Sequence, residues 1–211
     1  MAQEPGWIVV LNGAPRSGKS SIVAAMQEWD DGPWMNLGVD VHARHMTPPR
    51  CRPGIGLRPG GERPEIEAWV QVFYAALVES VAAHSRLGLN VVVDVGFHDA
   101  YAVPRGVLRD CARRLLGLPA LLVGIRCPVE EIMRRHRAGQ PGREGEYVAG
   151  PAEDPVPEAV LRWQREVHRP GIYDLEVDTS VLSPLDCAAA IRRRLDDPTR
   201  PSAFRRLACR G

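Results

Sequence analysis

Lys19 and Ser20 close a run, Gly13, Ala14, Pro15, Arg16, Ser17, Gly18, Lys19, Ser20 and Ser21, whose residue types and spacing suit the holding of phosphate. Gly13, Gly18, Lys19 and Ser20 satisfy GxxxxGK[ST]. In that pattern the loop N–H groups wrap phosphate oxygens, the lysine reaches the outer phosphates and the hydroxyl takes magnesium. The setting is the required one, with the apolar IVVL ahead of the loop and the helix-compatible SIVAAMQEW behind it. The competing reading is a glycine turn that joins strand to helix and binds nothing. Against it, Lys19 is the only lysine in the chain, whose other basic side chains are arginines.

A bound nucleoside triphosphate needs something to receive its phosphoryl group. Asp40, Asp94 and Asp178 stand near the predicted ends of strands, where a parallel sheet presents its ligands. Transfer to a hydroxyl calls for a carboxylate that orients the acceptor and takes its proton, with cations on the migrating phosphate. Asp40 is read as that base, and the alternative is a cap for the segment VHARHM. Asp94 closes VVVD, the form of a strand acid that helps place magnesium together with Ser20; a simple turn-capping aspartate would look the same. Arg134, Arg135 and Arg137 precede a glycine-rich segment containing Arg143. Arg135 and Arg137 are read as arginines that a mobile lid brings to the phosphates, the alternative being a solvated helix face favoured by the helix dipole. The histidines show no metal-ligand spacing and are read as surface or packing residues.

These groups need a scaffold. The order is strand, loop and helix 19–29, a short strand 36–39 with Asp40 at its edge, and a proline- and glycine-rich loop 47–64. A helix with apolar residues at helical spacing then ends at Gly88. Strands 89–95 and 120–127 follow, each an unbroken apolar run, with a helix over 103–116 between them and helices and a last strand, YDLEVDTS, after them. SPLDCAAAIRRRL is a closing helix with Ser183 as its N-cap. Strands that read as continuous apolar runs and alternate with helices predict an α/β doubly wound parallel sheet with helices on both faces, the fold of phosphate-loop kinases, plus the mobile lid. One domain over 1–195 and a loosely ordered tail over 196–211 are expected.

At 211 residues and a formal charge of +1, the chain shows no electrostatic footprint for nucleic acid or an anionic membrane. Its five cysteines are scattered and odd in number, so free thiols are expected rather than disulfides or a zinc site. No apolar stretch is read as a membrane span and no leader is read at the start, which makes a cytoplasmic protein the expectation, of unassigned oligomeric state.

IVVLNGAPRSGKSSI, PWMNLGVDVH, NVVVDVGF, VGIRCPVEEI and VHRPGIYDLEVDTSVLSPLDCAAAI together resemble the chloramphenicol phosphotransferase-like family of small phosphate-loop kinases. The ending is the most distinctive, with His168, Tyr173, Asp174, Val177, Asp178 and Thr179 in the family's order. The resemblance implies a kinase that uses ATP and Mg2+ to phosphorylate a hydroxyl of a small molecule, in the founding case chloramphenicol. It implies Asp40 as the base, and lid arginines on the phosphates. The expected acceptor is an antibiotic. Arg44, Arg50, Arg52, Arg58 and Arg63 crowd the loop after Asp40, which suits an acceptor more polar or anionic than chloramphenicol, such as a nucleoside- or sugar-type antibiotic. The alternatives are a metabolic kinase of the same fold and a nucleotide-binding regulator that phosphorylates nothing. The absence of an NKxD sequence and the acid at the acceptor edge argue against the regulator.

Overall fold

The computed structural model describes residues 4–138 and 156–210. The segment expected to form the lid, residues 139–155 with Arg143, lies outside them. Five strands, β1 (Ile8–Asn12), β2 (Trp34–Asn36), β3 (Asn90–Val95), β4 (Ala120–Arg126) and β5 (Leu175–Asp178), form one parallel sheet in the order β2-β3-β1-β4-β5. The order reverses beside β1, so its C-terminal end is the switch point where an open parallel sheet leaves a crevice.

Alternate residues of each strand feed opposite layers. Ile8, Val10, Val91, Val93 and Leu122 face the layer of α3 (Pro64–Arg86), α4 (Val107–Arg114) and α8 (Ala203–Ala208). Val9, Leu11, Val92, Leu121 and Val123 face α1 (Lys19–Gln27) and α7 (Pro184–Asp196). Helices thus cover both faces, which is why the strands carry almost no polar residues. A third cluster, Ala14, Cys127, Ile132, Trp163 and Val167, joins α5 (Val129–Arg137) and α6 (Glu158–Glu166) to the flank of the phosphate loop. α7 starts as expected at Ser183, whose Oγ accepts from the Asp186 N–H at 3.1 Å while Asp186 accepts from the Ser183 N–H at 3.3 Å, a reciprocal capping box.

Two readings of the sequence are corrected here, at Asp40 and at the tail, and two are refined. β2 ends at Asn36, and Val39–Val41 forms the short helix α2, continued by a π-turn over His42–Met46, so Asp40 belongs to a helix and not to a strand edge. Loop 47–64 is anchored: it makes 3-10 turns at Pro49–Cys51 and Gly54–Gly56, buries Ile55 and Leu57, and gives the Ile55 carbonyl to Tyr74 Oη at 3.1 Å. The segment after 196 is not loose, because α8 sets Phe204 and Leu207 into the core. Asp174 Oδ1 accepts there from the N–H groups of Ser202 and Ala203 at 2.7 and 2.9 Å, holding the start of α8. α3, at 23 residues, is by length and composition long and apolar enough to cross a membrane, although 44% of its most apolar window is buried within the protein. The cysteines among the described residues are free thiols, as expected.

Candidate active site

α1 has no side-chain N-cap. Gly18 occupies that position at φ 91°, a left-handed conformation that glycine alone adopts without strain, so the first N–H groups of the helix face the loop and not a capping side chain. Gly13 is fixed by space: a Cβ there would lie 2.7 Å from the Ile125 carbonyl oxygen. Lys19 folds back over the loop, and its Nζ donates to the carbonyls of Gly13 and Ala14, both at 2.8 Å. An ammonium held in this way sits over the hollow of the loop. Ser17 Oγ is buried without a hydrogen-bond partner among the described residues.

The outer side of the loop is braced by groups the sequence reading gave other work or none. Thr179 Oγ1 donates to the Ser17 carbonyl at 2.8 Å, and its N–H donates to the Arg126 carbonyl at 3.0 Å. Arg135 reaches the same place, with Nη2 donating to the Thr179 carbonyl at 2.6 Å, Nη1 to the Arg16 carbonyl at 3.3 Å and Nε to Glu131 at 2.7 Å. The arginines Arg134 and Arg135 hold the Glu131 carboxyl down at about 2. The face of α5 toward the cleft carries Arg134 and Arg135, followed by Ala138 at its C-cap; Arg137 is exposed and lies outside the cleft lining.

Register places the second carboxylate. Leu11 pairs with Asp94, so the end of β3 runs beside the entrance to the loop, and Ser20 Oγ donates to Asp94 Oδ2 at 3.2 Å. Asp94 is buried, and burial raises its carboxyl above the usual range; the Lys19 ammonium pulls it down and nearby Asp40 pushes it up. Gly38 packs against this carboxylate so closely that a Cβ would stand 1.6 Å from Asp94 Oδ1. A larger residue there would displace the Asp94 carboxylate. Gly38 is also the N-cap of α2, which puts Asp40 inside the first turn and removes the capping role as an account of Asp40.

The phosphate loop, Asp94, Asp40, Arg134 and Arg135 line one open cleft of about 690 Å3. Gly13, Pro15, Arg16, Gly18, Lys19, Ser20 and Ser21 form its floor, while Ala14 and Ser17 lie buried beneath. Asp94, Val95 and Gly96 continue the floor, and Arg134 and Arg135 stand at one end. The opposite wall is α2 and the anchored loop, with Val39, Asp40, Ala43, Arg44, Arg52 and Ile55. Trp163 closes the side, its ring over Gly96, where a Cβ would lie 2.9 Å from it. Such a cleft sets a carboxylate opposite a phosphate cradle, which is the requirement for passing a phosphoryl group to a hydroxyl. No cluster of three or more metal-binding side chains exists among the described residues. Ser20 and Asp94 alone supply a hydroxyl and a carboxylate, a pair that suits magnesium, which keeps most of its shell as water and phosphate oxygen.

Over residues 6–196 the chain matches the profile of the family described as "Chloramphenicol phosphotransferase-like protein". The chain belongs to that family. It is a phosphotransferase of the kinase type with a hydroxyl group as acceptor. A provisionally named O-phosphotransferase of Mycobacterium tuberculosis (strain H37Rv) is 25% identical over 211 residues, covering 96% of this chain and 88% of the relative. The fold is shared with the M. tuberculosis APS kinase in complex with AMPPNP and APS, at TM-score 0.54 and 19% identity over 92% of this chain and 99% of that one. It is shared equally with the Deinococcus radiodurans tunicamycin resistance protein, at TM-score 0.55 and 16% identity over 93% and 99%. α8 lies beyond the matched family region and seals the core of this chain.

The ending that carries most of the family resemblance has a structural explanation. Asn12, the last residue of β1, donates through Nδ2 to the Val167 carbonyl at 2.7 Å and to Tyr173 Oη at 2.9 Å, and accepts from the Phe97 N–H at 2.8 Å. Tyr173 Oη and His168 Nδ1 share a hydrogen bond at 2.8 Å. The pKa of His168 is lowered to about 4, by burial first and by the Arg126 guanidinium second. The folded protein favours the unprotonated ring, so this contribution to stability is present above the ordinary value of 6.5 and is lost as pH falls toward about 4. Thermal unfolding followed across that window will show stability dropping, and His168→Asn, which keeps an acceptor for Tyr173 and does not titrate, will flatten part of the slope. An unchanged slope would contradict this account. Sequence spacing hides the network, because its members are brought together only by the sheet.

Proposed function

We propose that the protein transfers the γ-phosphoryl group of ATP to a hydroxyl of a small molecule in the cytoplasm, with the triphosphate on the loop from Gly13 to Ser21 and the acceptor against α2 and the anchored loop. What supports the reading most is that Asp40 lines the same cleft as the phosphate loop and the Ser20 and Asp94 pair. The Asp40 carboxylate accepts the acceptor's hydroxyl proton as that oxygen forms its bond to the γ-phosphorus and the bond to the bridging oxygen of ADP breaks. Lys19 leaves the Gly13 and Ala14 carbonyls for the outer phosphates. Ser20 and Asp94 hold magnesium, which when bound neutralises charge on those phosphates. Arg135 serves the phosphate end by holding the loop at the Arg16 carbonyl, and Arg137 serves it through the closing lid.

The acceptor in this reading is a hydroxyl-bearing antibiotic more polar than chloramphenicol, of nucleoside or sugar type. Neither nucleic acid nor a membrane takes part. ADP release measured over a panel of hydroxyl-bearing antibiotics is expected to depend on a polar member. Turnover of chloramphenicol alone would overturn the acceptor assignment, and preferential turnover of ordinary metabolites would favour a metabolic kinase on the same site.

A further inference from the structure

We infer that the acceptor carries an anionic group, and that Arg52 binds it. This rests on the kinase reading and narrows it to a class of substrate: an alcohol that also bears a carboxylate, sulfate or phosphate. Five arginines fall on or near the acceptor loop, and they do not share one fate. Arg63 pairs with Glu65, Arg50 is exposed away from the cleft and Arg58 lies outside its lining. Arg44 and Arg52 line it beside Asp40.

Arg52 is the one whose guanidinium is aimed. Its Nε donates to the Thr47 carbonyl at 3.1 Å and its Nη2 to the Arg44 carbonyl at 2.8 Å, two tethers that fix the plane of the group. Thr47 is itself buried and fastened, its N–H and Oγ1 both donating to the His42 carbonyl at 2.9 and 3.1 Å. The tethers end on neutral carbonyls, so the charge of Arg52 meets no carboxylate, and Nη1 has no protein partner among the described residues. A cation held rigid against two carbonyls at the edge of a cleft is prepared for an anion, because little side-chain freedom remains to be lost on binding. Val39, Ala43, Ile55 and Trp163 give the same cleft an apolar portion, while Arg52 itself stands exposed at its edge, within reach of a ligand entering from solvent. A neutral antibiotic makes no use of such a group.

The test begins with the full chain saturated by magnesium and a non-hydrolysable ATP analogue, so that the phosphate loop is filled, and titrates sulfate by calorimetry. Saturable binding is expected, weakened on the order of tenfold to a hundredfold in Arg52→Gln and only partly restored in Arg52→Lys, with affinity for the analogue unchanged. Equal sulfate affinity in wild type and Arg52→Gln, or no sulfate binding to either, would overturn the inference. A second arm compares acid and neutral alcohols of like shape, gluconate against sorbitol and shikimate against its methyl ester, by ADP release. The acids are expected to be preferred, with Arg52→Gln acting on KM more than on kcat, whereas preference for the neutral members would overturn the inference and leave the kinase reading standing. Failure of the ATP analogue to bind at all would remove the kinase reading, and this inference with it.

Discussion

Asp40→Asn is expected to lower kcat by roughly a hundredfold to ten-thousandfold, the range associated with loss of a general base, while leaving KM for ATP and the melting temperature nearly as they were. The substitution keeps size and hydrogen-bonding reach and removes the negative charge and, with it, the ability to take a proton. Because Gly38 is the N-cap of α2, no capping bond depends on the Asp40 side chain, and the helix should persist. Steady-state ADP release and thermal unfolding on the same preparation separate the two effects. Near-normal turnover would mean that the hydroxyl proton goes elsewhere, and a matching loss of stability would give Asp40 a structural role.

Lys19→Ala carries the second large effect. Nζ donates to the Gly13 and Ala14 carbonyls at 2.8 Å, so the substitution also removes two bonds within the loop, and thermal unfolding of the same preparation separates that loss from the loss of a phosphate contact. Loss of a donor aimed at developing charge lowers turnover by roughly a hundredfold to a thousandfold, and nucleotide affinity should fall as well. Lys19→Arg should not restore activity, because a planar fork cannot replace a compact ammonium within a loop closed around it. As the only lysine in the chain, Lys19 also offers a direct readout: amine-reactive labelling of this side chain should be blocked by ATP. Labelling indifferent to ATP, or full activity in Lys19→Arg, would contradict the assignment.

Most of the sheet was legible because its strands are buried on both sides and their valine runs need no knowledge of neighbours. The phosphate loop was legible for a similar reason, since its glycines, lysine and serine are contiguous. What escaped depends on contacts between distant residues. Val39 has strand propensity, yet α2 begins at that residue, since Gly38 must sit flush on Asp94 and the chain turns there. Arg135 lies among other arginines in a helix that carries acids in its first turn, and nothing local distinguishes the one that braces the Arg16 and Thr179 carbonyls. The tail, rich in arginine and proline, hid the short apolar face of α8, whose site on α4 exists only after folding. Loop 47–64 looked irregular because its order comes from long-range bonds such as that of His98 Nε2 to the Leu57 carbonyl at 2.9 Å.

The fold is common to proteins with different acceptors, so the chemistry rests on the cleft and not on the sheet. Its phosphate end is specified by the loop from Gly13 to Ser21, its acceptor end by Asp40 and the anchored arginine loop. The fate of the γ-phosphoryl group tests this most directly. Protein incubated with γ-labelled ATP, magnesium and a deproteinised small-molecule extract, with and without the Asp40→Asn change, should move label into a phosphate monoester of a small alcohol in the wild type and leave it in ATP in the variant. Label released only as inorganic phosphate, or transferred equally well by both proteins, would contradict the account.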